Sequence, residues 1–314
     1  MKKIPIILSL LIVGIAPFYG QIDISIYKIF NAETLDYRLF WDLRLPRVIL
    51  AFFVGGILGL GGLLFQSIFR NSLSTPFTLG VASGATLGSA FAIIFGYLTL
   101  VPFFGFLGAF STIIILFTIT TKLKSYETNS LLLVGIALSF FYSAALMVLY
   151  YISDPAQSYE IIRFTMGSLD TVGLNNVIPI FLASIFLLIL SHFYKSELKL
   201  ILTSNENAYL KGLNLKKVNT ILLLAVSIAV GIAVSITGPI GFIGLIVPHI
   251  IKAIYKTSSD KLLMPIFYYS GVFLLFCDLI SRNLGTSSDI PIGVVTSFIG
   301  GPFFIYLLIS RKSK

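Results

Sequence analysis

Long uninterrupted runs of apolar residues dominate the chain and are separated by short polar segments. A typical run reads VIPIFLASIFLLILSHF at residues 177–193, with no alternation of apolar and polar positions. Continuous runs favour helices, because the strands of a membrane barrel alternate. A helix needs about 20 apolar residues to cross a bilayer. The pattern therefore predicts about ten spans, at residues 4–20, 46–66, 78–97, 99–120, 130–151, 177–194, 218–237, 240–256, 264–283 and 291–310.

Basic residues are distributed unevenly between these spans. If the N-terminus is cytoplasmic, the inner segments hold sixteen of the 22 Lys and Arg residues. The outer segments hold six, namely Lys28, Arg38, Arg44, Arg47, Arg163 and Arg282. Because Lys and Arg accumulate in cytoplasmic loops, this bias predicts both termini in the cytoplasm and an even number of crossings. The outer loop 152–176 and the inner loop 195–217 are each long enough for a short helix or a plain connection.

Composition narrows the class of protein. The chain has 314 residues, of which 57% are hydrophobic and 11% charged, too few charges to cover a soluble surface. We interpret residues 1–314 as a single transmembrane domain whose first apolar run is an uncleaved helix. The net charge of +9 fits cytoplasmic loops and gives no reason to expect nucleic acid. With Cys277 as the single cysteine, neither a disulfide framework nor a metal site is expected.

Helix breakers occur inside the apolar runs. The stretch GPIGFIGLIVPHI, at 238–250, predicts a turn on the outer side at Gly238, Pro239 and Gly241, followed by a helix that bends near Pro248. Backbone groups freed at membrane depth need partners in protein or in a water-filled cavity, so broken helices are typical of solute pathways. Glycines also repeat on one face of the second and third spans, where either close helix packing or a smooth pathway wall would use them.

Ionisable residues are scarce inside the spans. Asp278 and Arg282 are spaced i, i+4 and predict a local ion pair. An ion-coupled carrier normally has more buried ionisable groups, so the energy for transport is expected to come from elsewhere. The chain has neither a phosphate-binding G-x-x-x-x-G-K-[ST] loop nor H-E-x-x-H nor G-x-S-x-G. An ion-coupled secondary transporter and a membrane enzyme remain the alternatives from other classes.

Seven motifs occur in a consistent order along the chain. They are LRLPR (43–47), RNSLSTPFTLGVASGATLG (70–88), LLLVGIALS (131–139), FTMGSL (164–169), GPIGFIGLIVPHI (238–250), DLISR (278–282) and IPIGVVTSFIGGPFFIYLL (290–308). With them the chain resembles, nearly end to end, the FecCD-type permease subunits of ABC importers for iron–siderophore complexes, haem and vitamin B12. The resemblance implies an all-α, vitamin B12 permease-like fold with ten helices per subunit, and two permease subunits around one central path.

The resemblance also implies roles for individual residues. The binding protein would dock on Arg44, Arg47 and Arg282. Asn71 and Leu73 would form the cytoplasmic gate, although this chain has N-S-L where the family has N-P-L. The inner loop 195–217 would couple to the ATPase through residues that include Glu206, Ala208, Leu210, Gly212 and Leu213. The helix break at Gly238, Pro239, Gly241 and Pro248 would border the path.

The implied assembly lies in a bacterial cytoplasmic (inner) membrane. It contains a second permease subunit, identical or related, two cytoplasmic ATPase subunits and a periplasmic or lipid-anchored substrate-binding protein. The chain itself would be a transport subunit and not an enzyme. It would hold no cofactor, since ATP would bind to the partner ATPase. Within the family we expect a ferric siderophore as the substrate, with haem or cobalamin as the alternative.

Overall fold

The computed structural model describes residues 3–122, 128–203, 211–284 and 289–312, and the regular structure of these residues is helical. The helices are α1 (Lys3–Ile15), α2 (Leu35–Arg38), α3 (Leu45–Phe69), α4 (Val81–Ile94), α5 (Val101–Lys122), α6 (Thr128–Ile152), α7 (Pro155–Thr165), α8 (Val177–Phe193), α9 (Lys195–Thr203), α10 (Leu215–Thr237), α11 (Ile243–Tyr255), α12 (Leu263–Leu284) and α13 (Ile292–Lys312). A π-helical turn, Leu39–Arg44, joins α2 to α3. The predicted all-α fold is confirmed.

Each of the ten predicted apolar runs coincides with a helix, but these helices differ in length. Within the described residues, five are long and apolar enough to cross a membrane: Leu35–Phe69, Leu98–Leu116, Leu132–Ile152, Lys217–Thr237 and Leu263–Leu284. A sixth crossing is possible if α8 and α9, which meet at 63°, form one bent span. Shorter apolar helices occupy Val81–Ile94, Ile243–Tyr255 and Ile292–Tyr306.

The two long loops contain additional short helices. In the loop 152–176, Asp154 caps α7 by accepting a hydrogen bond from the backbone N–H of Gln157 at 2.7 Å. The side chain of Gln157 accepts in return from the N–H of Asp154 at 3.2 Å, which completes a capping box. The loop 195–217 begins as helix α9. Both loops are therefore at least partly helical, and not plain connections.

Helix α3 lies at the centre of the bundle, and glycines set its distance from its neighbours. A Cβ atom added at Gly55 would lie 2.5 Å from the carbonyl oxygen of Ser270 on α12, and one at Gly62 would lie 2.0 Å from that of Gly244 on α11. On α4, a Cβ at Gly88 would lie 2.2 Å from the carbonyl oxygen of Phe104 on α5. The glycine faces are therefore close-packing faces, on which small residues let backbones approach.

We predict that Gly62→Ala lowers the free energy of unfolding by about 1–3 kcal/mol, because the added methyl group has no room beside the backbone of α11. The measurement is the thermal unfolding midpoint of the purified chain in detergent. Gly14→Ala is the matched control, since nothing lies within 4 Å of a Cβ at that helical position. Equal midpoints for the two variants would contradict this packing.

Candidate functional site

The three arginines assigned to docking meet at one end of the bundle. Arg44 ends the π-helical turn, Arg47 lies in the first turn of α3, and Arg282 lies in the last turn of α12. Together they line an open cavity of about 710 Å³. We call this the Arg47 end of the bundle, and the opposite end of α3, where residue 71 follows, the Asn71 end.

Arg47 binds three carboxylates from three different segments. Its Nε donates to Asp278 on α12 at 2.9 Å, and its Nη1 donates to Asp170, in the loop after α7, at 2.8 Å. Nη1 also donates to Asp289, which precedes α13, at 2.6 Å. The Arg47 side chain is 13% exposed. One guanidinium therefore joins α3, α12 and the segments before α8 and α13.

The Asp278 carboxylate is completely buried and lies between two arginines. Its Oδ2 is 3.0 Å from Nε of Arg282, close enough for an ion pair although the two groups are not aligned for a hydrogen bond. The Nη2 of Arg282 donates instead to the carbonyl oxygen of Ala16 at 3.1 Å. The predicted pair of Asp278 and Arg282 is thus present, but the sequence did not reveal that Arg47 also binds Asp278 or that Arg282 binds Ala16, the residue directly after α1.

The guanidinium of Arg44 donates its hydrogen bonds to backbone carbonyl oxygens rather than to a carboxylate. It donates to the carbonyl oxygen of Phe18 at 2.8 Å and also to that of Ile22. Arg44 and Arg282 are both buried. The structure therefore gathers the three predicted docking residues around one cavity, with each already engaged within the chain, and their contact with a binding protein stays a prediction.

Two of the acidic partners of Arg47, namely Asp170 and Asp289, were missed from the sequence, whereas Asp278 was expected to pair only with Arg282. Asp170, Asp278 and Asp289 hold the cluster together, and each lies within or directly beside a quoted motif: FTMGSL ends at residue 169, DLISR begins at 278, and IPIGVVTSFIGGPFFIYLL begins at 290. That adjacency was the available signal. The sequence could not show that Arg47 would meet all three acids, because each of them is more than 100 residues from Arg47 in the chain.

The helix break is packed into the interior of the bundle, and its place on the outer side of the membrane stays a prediction. Gly238 ends α10 with a φ of +68°, and a Cβ there would lie 2.2 Å from the carbonyl oxygen of Phe164. The chain then passes Phe242, which has a φ of +67°, and enters α11. A Cβ at Gly244 would lie 2.6 Å from the carbonyl oxygen of Leu58, near the middle of α3. The break therefore borders the centre of the bundle.

Two cavities adjoin this break. An apolar one of about 590 Å³ is lined by residues that include Met166, Pro239, Gly241, Gly293 and Phe298. A smaller one of about 240 Å³ lies between Gly241 and the segment 75–77. Of the predicted pathway residues, Pro239 and Gly241 line cavities, while Gly238 and Pro248 are buried in packing.

Pro248 leaves one carbonyl of α11 without its helical donor. The oxygen of Gly244 would normally accept from the N–H of residue 248, and proline has none. The side chain of Gln66 on α3 supplies the missing donor at 2.9 Å. Lys252 in turn donates from Nζ to Oε1 of Gln66 at 3.2 Å. A neighbouring helix thus satisfies the group freed by the proline, as a chain in an apolar interior requires.

The residues assigned to the gate follow α3 directly. The N–H of Leu73 donates to Oδ1 of Asn71 at 3.0 Å, which closes a tight turn, and Leu73 is exposed. Beside them, Nη2 of Arg70 donates to the carbonyl oxygen of Ile201 in α9 at 2.5 Å. The turn that contains Asn71 and Leu73 is therefore attached to the first part of the predicted coupling loop.

Only part of that coupling loop can be placed. Glu206, Ala208 and Leu210 lie outside the described residues. Gly212 is exposed with a φ of +75°, a backbone conformation that favours glycine, and Leu213 is half-buried. The side chain of Asn214 then caps α10 by accepting from the N–H of Lys217 at 3.0 Å. Within the described ranges, no group of three or more His, Cys, Asp or Glu side chains is arranged to hold a metal ion.

We predict that Asp278→Asn lowers the free energy of unfolding by about 3–5 kcal/mol, because two buried guanidinium groups lose their shared counter-ion. Chemical denaturation in detergent micelles measures the change. Glu33→Gln removes the same charge from an exposed residue and should alter stability by less than about 0.5 kcal/mol. A loss for Asp278→Asn no greater than that of the control would show that the buried pairs are unimportant.

We further predict that Gln66→Leu costs about 1–3 kcal/mol, since it leaves the Gly244 carbonyl buried without a donor. In a Pro248→Ala background the cost should be much smaller, because alanine at that position restores the backbone N–H for the carbonyl. A double-mutant cycle on unfolding free energies provides the test. Additive effects would mean that the glutamine does not replace the missing N–H.

Comparison with known proteins assigns the chain to a family. The model of the FecCD transport family matches residues 6–310. The hemin transport system permease protein HmuU of Yersinia pestis is 33% identical over 322 residues, which cover 98% of this chain and 95% of that protein. A protein of Helicobacter pylori named "Probable iron chelatin transport system permease protein" is 33% identical over 86% of this chain and 82% of its own length.

A solved structure agrees with these sequence relationships. It is described as an inward-facing conformation of a metal-chelate type ABC transporter, and it superimposes with a TM-score of 0.84 at 27% identity over 96% of both chains. The chain is therefore a multi-pass membrane protein that belongs to the FecCD transport family.

Proposed function

We propose that this chain is the transmembrane permease subunit of an ATP-driven ABC importer that takes up an iron(III)–siderophore complex. The observation that carries the proposal is its fold match, over nearly all of both chains, to a metal-chelate type ABC transporter. The iron chelatin permease of Helicobacter pylori supports an iron chelate as the cargo. In this assembly ATP binds to two partner ATPase subunits, and the chain itself performs no chemistry.

The length of α3 supports a path from one face of the membrane to the other. Its 25 residues rise about 1.5 Å each, or roughly 38 Å in total, which exceeds the apolar thickness of about 30 Å. A helix of this length would place the Arg47 cavity and the Asn71 turn at opposite membrane faces. In our proposal the Arg47 end is external and receives the binding protein, while the Asn71 end and α9 are cytoplasmic and meet the ATPase.

The position of the helix break fits a conduit between these faces. Pro239 and Gly241 border an apolar cavity, and Gly241 also borders the smaller cavity that reaches Leu58 in the middle of α3. A second permease subunit, identical or related, would complete the path around them. An apolar wall lets a cargo pass without binding tightly. Movement of α9, transmitted through the bond between Arg70 and Ile201, would reach the Asn71–Leu73 turn and release the cargo inward.

Haem is the second candidate for the cargo. The hemin permease of Yersinia pestis matches nearly the whole of this chain, and the cargo in its name is the observation that favours haem. In proteins of this kind the separate binding protein selects the ligand before the permease receives it.

The test is uptake by the assembled transporter in proteoliposomes, with radioactive iron supplied as a ferric siderophore and ATP enclosed with the ATPase. We predict uptake that requires ATP hydrolysis, resists a protonophore and is competed by unlabelled ferric siderophore but not by haem. The control is an ATPase subunit whose catalytic residue is substituted. Competition by haem alone would reassign the cargo, and ATP-independent uptake that collapses with a protonophore would identify an ion-coupled carrier.

A further inference from the structure

We propose that Asp170 is an exchangeable counter-ion of Arg47 and that its loop connects docking at the Arg47 end to the helix break after α10. An acidic surface of the binding protein would replace the Asp170 carboxylate on Arg47. The loop after α7, which carries Asp170, would then bind the end of α10 less tightly. This inference rests on the proposed docking function, and it adds a residue and a route that docking alone does not specify.

The three acids that bind Arg47 differ in how readily they can be replaced. Asp278 is fully buried, so breaking its pair would leave an uncompensated charge inside the bundle. The side chain of Asp170 is 47% exposed and that of Asp289 is 31% exposed. Because water reaches these two carboxylates and screens their attraction to Arg47, their ion pairs are weaker than the buried pair with Asp278. Arg47 therefore has one permanent partner and two that an incoming carboxylate can displace.

A second arginine already competes for Asp170. Nη2 of Arg163, on the last turns of α7, lies 3.3 Å from Oδ2 of Asp170. The Arg163 side chain is 55% exposed. Asp170 therefore still has an ion-pair partner at the surface after its pair with Arg47 breaks. The released carboxylate is thus not left without a counter-charge, which lowers the free-energy cost of the exchange.

Two hydrogen bonds connect Asp170 to the helix break. The N–H of Asp170 donates to Oγ of Ser168 at 3.0 Å, and the N–H of Ser168 donates to the carbonyl oxygen of Thr237 at 2.8 Å. Thr237 is the last residue of α10, and Gly238 begins the break. The route from the Arg47 guanidinium to the break therefore passes through one ion pair and two hydrogen bonds.

The same loop is wedged between the break and α13. A Cβ at Gly167, whose φ is +75°, would lie 2.9 Å from the carbonyl oxygen of Pro239. On its other side, the N–H of Gly293 donates to the carbonyl oxygen of Met166 at 3.0 Å. A loop packed this tightly cannot shift at Asp170 without moving its contacts at Pro239 and at the start of α13.

The loop also separates two cavities of different character. One of about 440 Å³ is lined by Arg47, Arg163, Ser168, Asp170 and Asp289 among others, and so is rich in charge. The apolar cavity of about 590 Å³ at Pro239 lies on the other side, and Met166 lines both. Displacing the loop would therefore change the barrier between the charged entrance and the apolar path.

The experiment measures amide hydrogen exchange in the full chain, held in lipid nanodiscs without partner proteins. Arg47→Gln and the milder Asp170→Asn should each raise exchange at the amides of Ser168 and Gly293 by about tenfold. Without the Arg47–Asp170 ion pair the loop is held less firmly, so the hydrogen bonds of both amides open more often. Arg163→Gln is the matched control: it removes the other arginine at Asp170, keeps the Arg47 pair, and should leave both amides unchanged.

A hexaglutamate peptide serves as the acidic probe. Added to the unmodified chain, it should raise exchange at Ser168, and high salt should abolish the effect. Unchanged exchange in Asp170→Asn, or a peptide effect that persists in Arg47→Gln, would overturn the inference. If exchange rises as expected while Asp170→Asn leaves the affinity of the binding protein unaltered in the assembled transporter, the link stands and the docking function fails.

Discussion

Backbone groups in an apolar interior must be given partners, and this constraint shapes the centre of the molecule. Pro248 removes one N–H from α11, and Gln66 on α3 replaces it at the carbonyl of Gly244. The break between α10 and α11 leaves the carbonyl of Thr237 free for the N–H of Ser168. At each interruption of the helical hydrogen bonding, another element of the fold therefore donates a hydrogen bond to the freed carbonyl. The broken helix is held by α3 on one side and by the loop after α7 on the other, and these contacts fix the position of the break.

A cluster of paired, largely buried charges lies at the Arg47 end. Arg47 and Arg282 share the buried carboxylate of Asp278, which ties α3 to α12, and Arg282 extends the tie to α1 through Ala16. Burying such a cluster costs desolvation free energy, so it is weak evidence for stability alone. What it does provide is a fixed position for Arg47, whose remaining hydrogen-bonding capacity faces Asp170 and Asp289 at the rim. A rigid guanidinium with replaceable partners suits a surface that meets another charged protein.

The loop after α7 contacts both the helix break between α10 and α11 and the charged residues of the Arg47 end. That loop carries Asp170 at its charged side and packs Gly167 against Pro239 at its apolar side. A transporter driven by partner proteins has to convert an event at its surface into movement along its path. The short connection through Ser168 and Thr237 offers such a conversion through two hydrogen bonds.

The sequence by itself determined the class of protein, the helical fold and the identity of the special residues. Continuous apolar runs favour helices, because a helix provides hydrogen-bond partners for every backbone group inside a membrane. Helix-breaking residues such as Pro239 and Pro248 can be identified from the sequence alone. The tertiary structure alone decided where the break lies and what holds it. A turn rich in glycine and proline reads the same at a surface or in the interior, and only the packing of Gly244 on α3 distinguishes the two. The partners of Arg47 were likewise beyond the sequence, because their proximity depends on how helices far apart in the chain come to lie side by side.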